Sequence, residues 1–199
     1  MRNATPQKHG SPFLSGPAAG ESHDQMASKS HFLHAGQVFV SGQGESVVLI
    51  LGSCVAVCIW DRVNAIGGAT HYLLPAWDGR GVRSPRHGDV AISVLLQRLL
   101  EAGADRGQLR AKIFGGGCLF DSKRDQGSNR EHHLGSRNVE VALELLTKAR
   151  IPVVSTEIGE NRGQRIVFHT GSGETLVKIL KRTHGNQPGN AGAVVSGRN

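Results

Sequence analysis

Short apolar runs alternate with two segments of helical period between residues 35 and 182. Residues 38–41, 47–51 and 55–60 are β-branched and apolar, and residues 66–74 mix glycine with apolar positions up to Pro75. Such runs, bounded by glycine, serine or proline, predict four successive strands, the second and third joined through Gly52 and Ser53. Over residues 89–102, Ile92, Leu95, Leu96, Leu99 and Leu100 recur at i, i+3, i+4, i+7 and i+8. One apolar stripe at that spacing predicts a helix, with Asp89 as N-cap and Gly103 as its stop. Residues 138–150 repeat the pattern with Val139, Ala142, Leu143 and Leu146; Asn138 is placed to cap this helix and Pro152 to end it. Residues 109–114, 152–155, 165–168 and 175–180 read as further strands. The expected fold is α/β: a single layered domain with a mixed sheet and two main helices. Residues 1–34 and 183–199 show no sustained apolar period and read as disordered tails flanking a domain at 35–182.

Composition narrows the class. The chain of 199 residues holds 27 glycines, 38% hydrophobic residues and a formal net charge of +7. That charge favours an acidic partner. The basic residues are scattered, however, and one tyrosine, two tryptophans and six phenylalanines supply little base stacking, which argues against nucleic acid. Three cysteines, Cys54, Cys58 and Cys118, are too few and odd in number for a disulfide framework, and fit a reducing cytoplasm. No apolar segment of secretory type follows the N-terminal basic residues, and the longest apolar run, 47–60, is too short to span a bilayer.

Candidate chemistry centres on Cys54, in the segment LGSCVAVCIWD (residues 51–61). The small residues Gly52 and Ser53 can place a thiol at a strand edge, beside backbone N–H groups that favour a thiolate and a developing oxyanion. A buried, inert thiol is the opposing reading. Cys58 sits among apolar residues and reads as core filler, about 13 Å from Cys54 if both lie on one strand. Cys118 follows three glycines and could be buried or exposed. His71, in GGATHYLLP (residues 67–75), has the chemistry to take a proton from a thiol and give one to an amine; a hydrogen-bonded core histidine is the alternative. His132 and His133 are adjacent and cannot share one ion, His31 and His34 fall in the extension, and no CxxC or HExxH occurs, so neither a metal nor a cofactor is expected. Gly115 to Gly117 lack a phosphate-binding frame and read as a close-packed strand end. Asn161 and Arg162, in the polar turn before residue 165, either bind substrate or fix the turn.

The segments LGSCVAVCIWD, GGATHYLLP, HGDVAISVLLQRLLEAGA (87–104), AKIFGGG (111–117), LGSRNVEVALELL (134–146), IPVVS (151–155) and GENRGQRIVF (159–168) come in the order found in the CheD family. The chain resembles these chemoreceptor glutamine deamidases over residues 35–181. The resemblance implies a layered α/β fold, a catalytic cysteine at Cys54 and a catalytic histidine at His71. It implies selected glutamines of methyl-accepting chemotaxis receptors as substrate, and a CheC-type phosphatase as a further partner. One position departs. The family's third catalytic residue is a threonine six residues before the cysteine, and Val48 stands there. Ser46, Ser53 and Thr70 are the hydroxyls nearest in sequence. The departure motivates an alternative, a non-catalytic binding module for receptor or phosphatase.

Overall fold

The computed structural model describes residues 29–117, 129–159 and 162–180, with residues 129–133 described by their backbone alone. Cys118, Asn161 and the tail at 183–199 lie outside the described residues.

Among the described residues nine strands and two α-helices follow in the order β1 (Ser30–Phe32), β2 (Gln37–Ser41), β3 (Ser46–Leu51), β4 (Val55–Asp61), β5 (Gly67–Tyr72), α1 (Gly88–Glu101), β6 (Leu109–Gly115), α2 (Asn129–Lys148), β7 (Val153–Ile158), β8 (Gln164–His169) and β9 (Thr175–Ile179), with a 3-10 turn at Arg106–Gln108 before β6. The strands form two mixed sheets, of order β1-β3-β8-β9 and β2-β5-β4-β6-β7. In each, one pair is parallel, β1 with β3 and β6 with β7.

Strand β4 shows how the layers stack. Its side chains alternate between two cores with the period of two that a strand imposes. Val55, Val57 and Ile59 pack with Ile92, Leu95 and Leu99 of α1 and with Ala142 and Leu146 of α2. Ala56, Cys58 and Trp60 pack with Val47, Leu49 and Leu51 of β3 and Ile166 and Phe168 of β8. The helices therefore cover one face of the five-stranded sheet and the four-stranded sheet covers the other. Every residue of β4 is buried in consequence, which is why that stretch reads as a continuous apolar run.

The expected layered α/β domain with mixed strand directions and two main helices is present; its strands divide between two mixed sheets, and β3 and β4 belong to different ones. Several expectations need correction. The N-terminal extension expected at 1–34 loses its last residues to the fold: β1 runs beside β3, with Leu33 buried. A three-residue strand is too short to show a period, so the sequence carried no signal for it. Helix α2 begins at Asn129, and Asn138 lies within it as a buried side chain, not a cap. Leu143 and Leu100, assigned to apolar stripes, are exposed, while Leu145 and Leu96 pack against the core. At α1 the N-cap is His87, which makes no side-chain cap bond, and Asp89 accepts from the Trp77 N–H at 3.1 Å. Gly103 does end α1, at φ 94°, where glycine is free of the usual penalty.

Candidate active site

Three residues, Gly52, Ser53 and Cys54, carry the chain from the four-stranded sheet to the five-stranded one. Leu51 pairs with Gln164 on one side of this crossing; Val55 pairs with Tyr72 and Gly115 on the other. So short a bridge needs small residues, and its three carbonyls are all tied down. The Gly117 N–H donates to Gly52 O at 2.9 Å and the Gly116 N–H to Cys54 O at 2.9 Å. Asn138 Nδ2 donates to Ser53 O at 3.2 Å and to Leu73 O at 3.0 Å. A Cβ on Gly115 would collide with the Cys54 carbonyl, and one on Gly135 with the Gly116 carbonyl. The glycine run thus packs strand β6 under α2 and beneath the crossing.

Cys54 is partly exposed, and its sulfur reaches the inter-sheet core. It precedes β4, so it does not share a strand face with Cys58, which is fully buried. His71, on β5, places Nε2 3.0 Å from Cys54 Sγ. Its Nδ1 lies 3.2 Å from the Leu33 carbonyl. A carbonyl only accepts, so Nδ1 carries the hydrogen and Nε2 turns its lone pair to the thiol. The Leu33 segment is held in turn: its N–H donates to Val48 O at 2.9 Å, and the Gly36 N–H donates to His71 O at 2.6 Å.

Residue 48 therefore contributes through its backbone, and a main-chain carbonyl orients the imidazole without a threonine hydroxyl. Of the three hydroxyls nearest in sequence, Thr70 donates to Gln37 O at 3.3 Å and Ser53 meets Asn138 through its carbonyl. Ser46 opens β3, in register with Ser30 and His169.

Burial raises the Cys54 thiol above its ordinary value, opposed by the N–H of Gly52, 3.4 Å from the sulfur, and by the residue's own N–H. Burial lowers the His71 imidazole below its ordinary value; the Leu33 carbonyl opposes this and His34 adds to it. The pair rests as neutral thiol and neutral imidazole, a base facing an acid at hydrogen-bond distance.

The structure thus brings Cys54, His71, Gly52 and Ser53 together. Arg162 is exposed on the loop between β7 and β8. That loop leaves β7 where the Gly159 N–H donates to Gly115 O and enters β8 where Gly163 lies against the Leu51 carbonyl, so it borders the same end of the sheets. The sequence reading missed the Leu33 carbonyl and Asn138. A main-chain acceptor leaves no trace in residue type; an asparagine inside a helical stripe did leave one. Among the described residues no group of three histidines, cysteines or carboxylates could hold a metal ion, and no helix is long and apolar enough to cross a membrane.

A family model described as CheD chemotactic sensory transduction matches residues 73–179. An Anaeromyxobacter dehalogenans protein named "Probable chemoreceptor glutamine deamidase CheD 1" is 40% identical over 169 residues, which is 85% of this chain and 95% of that one. The chain belongs to the CheD family. Two further CheD relatives carry the name "Probable chemoreceptor glutamine deamidase CheD". One, from Sulfurimonas denitrificans, is 34% identical across 79% of this chain and 99% of its own. The other, from Trichlorobacter lovleyi, is 37% identical across 75% and 89%.

Proposed function

We propose that this CheD-family chain is a cysteine-dependent protein-glutamine glutaminase, acting in the cytoplasm on selected glutamines of methyl-accepting chemotaxis receptors. The observation that carries the reading is the 3.0 Å contact between His71 Nε2 and a partly exposed Cys54 sulfur, with the tautomer set by the Leu33 carbonyl. The names of the relatives supply the substrate.

Nε2 takes the thiol proton as sulfur attacks the carboxamide carbon. The carbonyl oxygen becomes an oxyanion. In a trans peptide each N–H points opposite the preceding carbonyl, and the described chain has no cis bond. With the carbonyls of Gly52 and Ser53 turned toward Gly117 and Asn138, the N–H groups of Ser53 and Cys54 point away from those donors. Together with Gly52 they form the oxyanion site. Collapse breaks the C–N bond, and the imidazolium returns its proton to the leaving nitrogen, releasing ammonia. A thioester remains. Water then gives a proton to Nε2 and its oxygen to the carbonyl carbon. Expulsion of sulfur leaves glutamate, and the thiol regains its proton. No step calls for a metal or cofactor. Arg162, exposed on the loop between β7 and β8, and its sequence neighbour Asn161 are the expected substrate contacts, and a CheC-type phosphatase is the expected regulatory partner.

Replacing Cys54 by alanine should lower ammonia release from a receptor fragment by about 10⁴-fold or more with the melting temperature little changed. Retained turnover in C54A would remove Cys54 as nucleophile.

A further inference from the structure

The segment between β5 and α1 stands out once the pair is assigned. It leaves His71 and Tyr72, and its ends close on each other: the N–H groups of Leu73 and Leu74 both donate to Arg86 O at 3.0 Å, and Leu74 bridges to His87. A surface loop with closed ends and its own internal contacts is a frequent carrier of function. The loop is built around Trp77, whose Nε1 donates to Arg80 O at 2.9 Å and whose ring lies 6.0 Å from the Arg83 guanidinium. It is tied to the nucleophile, because Asn138 Nδ2 bonds the carbonyls of both Leu73 and Ser53.

What this loop shows to solvent is unlike ordinary loop surface. Val82 is 83% exposed and Leu74, at its base beside the crossing, 41%. Arg80, Arg83 and Arg86 are exposed on the same loop, against the single carboxylate of Asp78. Apolar positions flanked by arginines, on a loop with closed ends beside the Cys54 crossing, match a partner with an apolar stripe and acidic flanks. We propose that residues 74–86 form the docking surface for an acidic amphipathic helix that delivers the glutamine to Cys54. This rests on the deamidase reading for the identity of the cargo, and names the face that selects it. The reaction's own product is a glutamate, so a helix processed at several positions becomes more acidic and better matched to the arginines.

The test is binding and turnover of a fluorescein-labelled chemoreceptor cytoplasmic fragment by the full chain, the R80E/R83E variant and, separately, Val82→Asp. The expected result is a Kd and KM raised about tenfold in R80E/R83E, a smaller rise in the valine variant, and kcat within about twofold of the parent. Parental affinity should fall with added salt, and less so in R80E/R83E. An unchanged rate of Cys54 alkylation in both variants shows that the site is intact. Variants that bind the fragment as tightly as the parent overturn the proposal, as does a parent that does not bind it. A parent that prefers duplex DNA, with the same loss in R80E/R83E, also overturns it and makes the loop a general polyanion surface. Should the parent bind the fragment and release no ammonia, the catalytic reading fails, while the comparison of affinities still decides the docking face.

Discussion

At the residue scale the proposed chemistry rests on two side chains and one main-chain oxygen. A cysteine raised by burial and a histidine lowered by burial form a neutral pair, so proton transfer belongs to the attack step and not to the resting state. The sign fixes the pH profile. The imidazole must be unprotonated to act as base, and its value lies below the ordinary 6.5. Turnover should therefore rise with pH through a midpoint below that value and be flat through neutrality. Labelling of Cys54 by iodoacetamide reads the other partner. In the parent the imidazole takes the proton, and replacing His71 by glutamine should slow labelling near neutral pH and move its midpoint upward. A glutamine variant labelled as fast as the parent would show that the ring does not serve the sulfur. At this scale the residue types of Cys54 and His71 offered candidates beside inert alternatives, the family resemblance singled them out, and the structure adds that the two side chains meet at 3.0 Å. The third partner was not legible, because Val48 and Leu33 act through backbone atoms that every residue type shares.

The elements explain why that backbone contact exists. Strand β1 has three residues on the edge of the four-stranded sheet, yet the turn after it carries the carbonyl that orients His71. Substituting Leu33 by proline removes the N–H that donates to Val48 O and keeps the carbonyl; substituting it by isoleucine keeps both. The proline variant should lose kcat by roughly ten- to a hundredfold through misplacement of the ring, with KM little changed, and isoleucine should be close to parental. Full kcat in the proline variant would mean that the imidazole needs no such support. Helix and strand periods were read correctly where the pattern was long, as in α1 and β4. They failed at ends: α2 starts nine residues before the expected Asn138, since residues 129–137 carry a glycine, Gly135, and no apolar stripe. That glycine is there because the Gly116 carbonyl lies against it, a contact between distant segments. Asn138 reads as a cap in sequence because asparagine caps helices well, but a buried amide can also hold two loops together, as this one does.

For the molecule as a whole, the layered α/β class was legible, and what the sequence left open is how the strands divide between two sheets. Continuous apolar runs at 47–51 and 55–60 are compatible with neighbours in one sheet or with partners in facing sheets. The choice depends on which faces are covered, and that is a property of all the layers together. The consequence bears on the proposed function: because β3 and β4 lie in different sheets, Gly52 to Cys54 must cross between them, and the proposed nucleophile sits partly exposed at that crossing. The net charge of +7 and the absence of a basic run were readable at once, and the arginine loop beside this crossing gives that charge a place. The central claim, that this crossing turns glutamine into glutamate, is tested most directly by the mass of a chemoreceptor cytoplasmic fragment after incubation with the full chain. The account predicts a gain of about one dalton at individual glutamines, as NH₂ is replaced by OH, and no gain with the Cys54→Ala protein. A receptor mass that stays constant with the parent, or the same gain from the alanine variant, would contradict it.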